Sequence, residues 1–303
     1  MTQTEPHQDT PLAPGAGLTE RYVRLPDGRR LRTVMTGEQD GPLVVFEAGM
    51  SAPAAEWIAV QRAVSAEART LAYDRAGYSG SDDDPEPRTP ERMADDLNAL
   101  LDALGESGPV ILVAHSWGGT IVRLFARAHP ERVRGIVLVD ATPSLALERG
   151  QQQLGILSFR LTALLVRLGA HSMVKRMTLP HGHSSLLSDD DMAILWRDYA
   201  SVRTMRTAVE EARHINSSHE TLVDLEREGT PDVPTVAVQG GRIEGSAKAK
   251  EFRTAFNAAT ERLMSAHPRG RTVVVEQAGH MIPQEKPEAV IDAIADVLRA
   301  AER

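Results

Sequence analysis

The stretch VAHSWGGT, residues 113–120, follows the apolar run Pro109-Val110-Ile111-Leu112 and sets one serine between a histidine and a tryptophan, with two glycines directly behind. A short continuous apolar run that stops at a Gly-rich turn reads as a buried strand. Beyond the turn Ile121, Leu124, Phe125 and Ala128 recur at helical spacing. A serine on a sharp turn from strand into helix presents its hydroxyl above the carboxyl edge of a sheet. Its neighbours must be small, because the strained backbone brings strand and helix close together. The pattern is a G-x-S-x-G elbow whose first Gly is replaced by Ala114. With the helix expected to begin at Trp117, Ser116 also sits where N–H groups point at a developing negative charge. A plain helix cap is the alternative for a lone serine at a helix start, so the rest of the chain has to decide.

Working outward, similar apolar runs occur at 43–46, 70–73, 135–139, 235–238 and 272–275. They are continuous and not alternating, which suits a parallel sheet covered on both faces. Residues 22–25 and 31–35 alternate and join through Pro26-Asp27-Gly28, as in a β-hairpin. Helical patterns at 56–65, 91–104, 120–128, within 247–265 and at 287–300 fall between the strands. The alternation predicts an α/β fold, a doubly wound, mostly parallel sheet. The rhythm breaks over 143–231, where Leu154, Leu157, Leu161, Leu164 and Leu168 stand three or four residues apart. That stretch is expected to be an inserted helical cap or lid. The expected division is a flexible N-terminal tail (1–18), a core domain (19–142 and 232–303) and the cap (143–231).

A chain of 303 residues is long enough for one large core plus an insertion. A net charge of −8 gives no basic excess to attract nucleic acid or an anionic membrane, and neither partner is expected. The absence of cysteine removes disulfides, thiol nucleophiles and thiolate metal sites. Residues 1–18 lack a basic start and an apolar centre, so they do not read as a signal peptide, and a cytoplasmic protein is the simplest expectation. No uncharged apolar run nears the ~20 residues of a membrane span; 154–168 is interrupted by Arg160. Nothing in the sequence indicates an oligomeric state.

Three further stretches belong with the elbow. Glu47-Ala48-Gly49-Met50 follows one strand, with Trp57 shortly beyond. Asp74-Arg75-Ala76-Gly77-Tyr78-Ser79-Gly80-Ser81-Asp82 follows the next, and Gln277-Ala278-Gly279-His280-Met281 follows the last, ahead of Glu285-Lys286-Pro287-Glu288. With four motifs each after its strand, the chain resembles the α/β-hydrolase family everywhere except the tail and the cap. AHSWGG with EAGM and LVDATP is similar to esterase-type members, while proline iminopeptidases and carbon–carbon bond hydrolases carry similar elbows. The resemblance implies a serine hydrolase that needs no cofactor and cleaves an ester or related acyl substrate through an acyl-enzyme. Ser116 would be the nucleophile and His280 its base, delivered by a loop after a C-terminal strand to the same sheet edge. The family pattern assigns the oxyanion hole to the backbone N–H groups of Met50 and Trp117.

The acid that orients the base departs from the commonest family pattern. Most relatives supply it three residues beyond a Gly after the penultimate strand, but counting from Gly240 reaches Ile243, and only a one-residue shift brings Glu244 into register. Some members take it from the end of the preceding strand, where this chain has Asp140. A carboxylate held at a strand end is better positioned than one in the GGRIEGS loop, which favours Asp140 over Glu244.

Other residues are expected to be structural. His115 reads as a packed or orienting elbow residue. Asp74-Arg75 reads as a salt-bridged pair fixing its loop, and Asp82-Asp83-Asp84 as a solvated loop without the spacing of a calcium site. His181-Gly182-His183 reads as solvated, with no metal. The late Gly-rich turn does not suit a dinucleotide. The alternatives are a meta-cleavage type carbon–carbon hydrolase using the same triad, or a ligand-binding member of the fold without turnover. Epoxide hydrolysis and dehalogenation require an elbow aspartate, which Ser116 excludes. The expected partner is a small apolar acyl compound. The leucine stripe, with Phe159 beside it, is expected either to line its pocket or to form the core of the cap.

Overall fold

The computed structural model describes residues 10–12, 17–36, 41–144, 149–229 and 231–302. Its strands are β1 (Thr10–Pro11), β2 (Leu18–Arg24), β3 (Arg30–Thr36), β4 (Leu43–Glu47), β5 (Arg69–Tyr73), β6 (Val110–His115), β7 (Val133–Val139), β8 (Thr235–Gly240) and β9 (Gly270–Val275). They form one sheet in the order β1-β2-β3-β5-β4-β6-β7-β8-β9. Pairing is antiparallel from β1 through β3 to β5 and parallel from β5 across to β9.

Every residue of β4, β6 and β8 is buried, the physical reason those segments read as unbroken apolar runs. Alternate residues of β6 feed two cores. Ile111 and Val113 pack on one face with Trp57, Ile58, Val290 and Ile294, whereas Leu112 and Ala114 pack on the other with Leu97, Leu101, Ile121 and Phe125. The covering helices are α1 (Ile58–Val64), α2 (Pro90–Ala103), α3 (Gly118–Ala128), α9 (Ala247–Ala266), α10 (Ile282–Glu285) and α11 (Pro287–Ala301). Between β7 and β8 lie α4 (Arg149–Arg167), α5 (His171–Thr178), α6 (Asp189–Tyr199), α7 (Val202–Ala212) and α8 (His219–Glu228).

Ion pairs, two of them buried, fasten these inserted helices to the sheet and to α1. Glu211 of α7 meets Arg75 at 2.9 Å, Asp198 of α6 meets Arg32 at 2.8 Å, and Asp191 meets Arg62 at 2.6 Å. None of these contacts is legible from local sequence, because each joins residues more than a hundred positions apart.

Two expectations are corrected here. Thr10 and Pro11 pair with Glu20 and Thr19, and Leu18 opens β2, so these residues belong to the sheet and not to a flexible tail. A polar composition hides backbone pairing at a sheet edge; residues 1–9 and 13–16 lie outside the described residues. The leucine stripe neither lines a pocket nor fills the cap. Leu154, Leu157, Leu161, Leu164 and Leu168 are 46–71% exposed, and α4 packs inward through Ile156 and Val166. Among the described residues no helix is long and apolar enough to cross a membrane.

Candidate active site

β6 ends at His115 and α3 begins at Gly118, leaving Ser116 in the turn with φ +52. A non-glycine residue in that region costs on the order of 1–3 kcal/mol and persists only when its surroundings hold it. Here the end of β7 does so: the Ser116 N–H donates to the Val139 carbonyl at 3.0 Å, and the Ser116 carbonyl accepts from the Thr142 N–H at 3.0 Å. The two glycines permit close approach. A Cβ on Gly118 would lie 2.7 Å from the Glu47 carbonyl oxygen, and one on Gly119 2.4 Å from the Ala141 methyl.

Asp140, one residue past β7, also has a positive φ of 43 and a fully buried side chain. Its Oδ2 lies 2.6 Å from His280 Nδ1, and its Oδ1 accepts the Gly240 N–H at 3.1 Å. Arg253 of α9 grips both oxygens, one through Nη1 at 2.6 Å and the other through Nη2. Burial opposes the charge, but Arg253 and His280 outweigh it and hold the Asp140 carboxyl well below the usual carboxylate range. Glu244 pairs with other residues. It is half-exposed, 3.0 Å from His181 and 3.9 Å from Arg242. Of the two candidate acids, the structure brings Asp140 to His280 and leaves Glu244 on His181, which was expected to be solvated.

His280 is half-exposed and lines a cavity of about 730 Å³ together with Ser116, Met50 and Trp117. Apolar walls come from Phe159, Met177, Tyr199, Leu222, Phe252 and Phe256. Among the described residues no hydrogen bond joins Ser116 to His280. Nor do the backbone N–H groups of Met50 and Trp117 donate to any protein acceptor there. Other N–H groups nearby are taken: Gly49 donates to Glu56 at 3.0 Å, Ser51 to the Tyr78 hydroxyl at 3.2 Å, and Ser116 to Val139 at 3.0 Å.

A second, wholly buried histidine–carboxylate pair lies behind this site. His115 Nδ1 is 2.8 Å from Glu56 Oε1, and His115 Nε2 is 2.9 Å from the His280 carbonyl oxygen. Nε2 makes a hydrogen bond, whereas Nδ1 and Oε1 lie within ion-pair distance without hydrogen-bond alignment, and the protonated ring is the form whose charge pairs with Glu56. Burial opposes the two charges, yet Glu56 raises His115 above its ordinary value and His115 lowers Glu56. Since Glu56 also accepts the Gly49 N–H, this pair ties together the elbow, the Met50 turn and the His280 loop. The sequence indicated an orienting role for His115 but not its partner, and it held no sign of Arg253.

Arg75 does not pair with Asp74. It clamps the Ala48 and Gly49 carbonyls at 2.7 and 2.9 Å and binds Glu47 at 2.6 Å as well as Glu211. Asp74 instead binds Arg32 at 2.7 Å and the Ala54 N–H at 2.7 Å. The acidic run 82–84 is not simply solvated either: the Asp84 side chain is fully buried among Arg29, Arg88 and Arg92.

A family profile described as "Alpha/beta hydrolase family" matches residues 44–293. A Gibberella zeae protein named "AB hydrolase superfamily protein" is 29% identical over 195 residues, covering 61% of this chain and 58% of that protein. Human "Epoxide hydrolase 4" is 33% identical over 126 residues, 40% of this chain and 34% of that protein. The chain therefore spans less than two thirds of the length of either curated relative. A solved structure of a thermophilic esterase from Thermogutta terrifontis superimposes over 94% of this chain and 99% of its own, with a TM-score of 0.71 at 22% identity. That likeness is one of fold.

Proposed function

This chain belongs to the alpha/beta hydrolase family, and from that premise we propose that it is a serine hydrolase cleaving an ester or related apolar acyl substrate through an acyl-enzyme. The reading is carried by one observation, the buried Asp140 paired with His280 Nδ1 at the cavity that Ser116 lines. With Nδ1–H committed to Asp140, His280 Nε2 is free to take the Ser116 proton as Oγ attacks the acyl carbon. The carbonyl oxygen gains negative charge, which the N–H groups of Met50 and Trp117 stabilise. On collapse the C–O bond to the leaving group breaks and His280 returns the proton to the departing alcohol. Water, deprotonated by the same nitrogen, then attacks the acyl-serine; the acid leaves and Ser116 recovers its proton.

The elbow residue argues against epoxide chemistry, although a curated relative bears that name. Opening an epoxide with a serine oxygen would leave an ether that water does not release, whereas a carboxylate would leave a hydrolysable ester. Residues 143–231 serve as the cap over the core formed by 19–142 and 232–303. Phe159, Met177, Tyr199 and Leu222 from its helices make the cavity wall apolar, so each substrate methylene buried there adds ~0.8 kcal/mol of binding.

The test is labelling with a fluorophosphonate probe, followed by a panel of esters, lactones, amides, vinylogous diketones and an epoxide. We expect labelling that Ser116→Ala abolishes, and turnover of apolar esters. Labelling that survives the substitution, or turnover confined to the diketone or the epoxide, would overturn the reading.

A further inference from the structure

From Arg149 to Ser188 the chain carries five Lys or Arg residues and neither Asp nor Glu, within a protein whose net charge is −8. The overall charge, which argued against an anionic partner, conceals this segment. It contains α4 and α5, where the exposed leucines also lie.

Helix α4 is apolar on two opposite sides. Ile156 and Val166 face inward, while at ~100° per residue Leu154, Leu157, Leu161 and Leu164 share a stripe about 80° wide on the far side. Leu168 continues the stripe at the following turn, and α5 adds the exposed Met173 and Met177. Exposed apolar surface concentrated in this way marks a site of association. Arg160 and Arg167 run along one edge of the stripe, and Lys175 and Arg176 stand exposed on α5. Among the described residues Arg160, Arg167 and Arg176 have no ion-pair partner. Met177 is at once exposed and part of the catalytic cavity's lining, so this surface is continuous with the cavity mouth.

Charge selects the occupant. In a two-fold dimer a patch meets itself, and α4 and α5, which carry no acid of their own although Glu210 and Asp189 stand at their borders, would then set cation against cation. An anionic lipid surface supplies both an apolar layer for the leucines and negative headgroups for the arginines. We propose that the α4–α5 face docks on an anionic phospholipid bilayer, with the leucines at the acyl boundary, the cations among the headgroups, and the Met177 rim of the cavity turned to the membrane. Docking of this kind requires no turnover, so it stands or falls separately from the serine mechanism.

The experiment is flotation of the full-length Ser116→Ala protein with phosphatidylcholine vesicles, with and without phosphatidylglycerol. Partitioning should be ~10-fold or more stronger on the anionic vesicles at low salt and should weaken as salt is added. The pair Leu161→Ser and Leu164→Ser should lower it by ~10-fold or more. The same pair in the otherwise native chain should leave Tm and hydrolysis of a soluble short-chain ester unchanged, which separates lost docking from lost folding. Arg160→Gln with Arg167→Gln should remove the preference for phosphatidylglycerol. Partitioning that is absent, or equal on both vesicles, overturns the proposal. So does a native dimer in analytical ultracentrifugation that the leucine pair dissociates, because the face would then belong to a second copy.

Discussion

Replacing Asp140 with Asn separates two tasks that one carboxylate performs. Its oxygens receive the Gly240 N–H, two Arg253 nitrogens and His280 Nδ1. An amide keeps a single acceptor oxygen. With that oxygen held by Arg253 and Gly240, the NH₂ group faces His280 Nδ1 and drives the ring proton to Nε2, the nitrogen that accepts the Ser116 proton in the proposed mechanism. We expect kcat/KM to fall by at least ~10²-fold and toward the ~10⁴-fold seen for the equivalent change in a serine protease. The substitution also removes the anion that neutralises Arg253, whose side chain is 14% exposed and keeps only neutral acceptors such as the Gly240 carbonyl. Orphaning a buried charge costs ~3–5 kcal/mol, and the partial exposure points to the lower end. At ~2–4 °C per kcal/mol for chains of roughly this size, Tm should drop by ~6–12 °C. Adding Arg253→Met removes the stranded cation, so the double variant should regain most of the Tm and none of the activity. Calorimetry and ester hydrolysis measure the two effects separately, with Glu244→Gln as a control expected to cost under ~10-fold. Asp140→Asn retaining kcat/KM within ~10-fold, or a double variant that recovers turnover, would refute Asp140 as the orienting acid.

Ser116→Gly should abolish turnover yet raise Tm, because glycine accepts the left-handed conformation that serine holds at a cost of on the order of 1–3 kcal/mol; an unchanged or lower Tm would mean the turn is unstrained. Glu56→Gln tests the buried ion pair through pH. The lowered Glu56 contributes stability above its unfolded value of ~4.3, lost as pH falls through its folded value, and the raised His115 contributes below ~6.5, lost as pH rises through its folded value. The Tm gap between native and variant proteins should accordingly be widest near pH ~5–6 and narrow toward alkaline pH; a flat difference would exclude an imidazolium at His115. Glu211→Ala should unfasten α7 from Arg75, so that amide exchange quickens over 202–212 more than in β6 and Tm falls by ~6 °C or more. Exchange that accelerates equally in both elements would show that the cap is not held there.

The strands and the elbow were readable because their causes are local. A strand buried on both faces must be apolar at every position, as 110–113 is, and a serine wedged between strand and helix needs Gly118 and Gly119 behind it whatever the rest of the chain does. The choice between Asp140 and Glu244 was not local: it depends on how β7 and β8 align beside the loop after β9, and the sequence could only rank the two. Arg253 left no trace, because the rotation of α9 against the sheet is set by packing partners scattered along the chain. Periodicity established that 154–168 has an apolar stripe, but a helix can carry one on either side, and spacing says nothing about which side meets the protein. Packing against α7 and the core settled it: Ile156 and Val166 took the inward positions, and Leu154, Leu157, Leu161, Leu164 and Leu168 were left facing out.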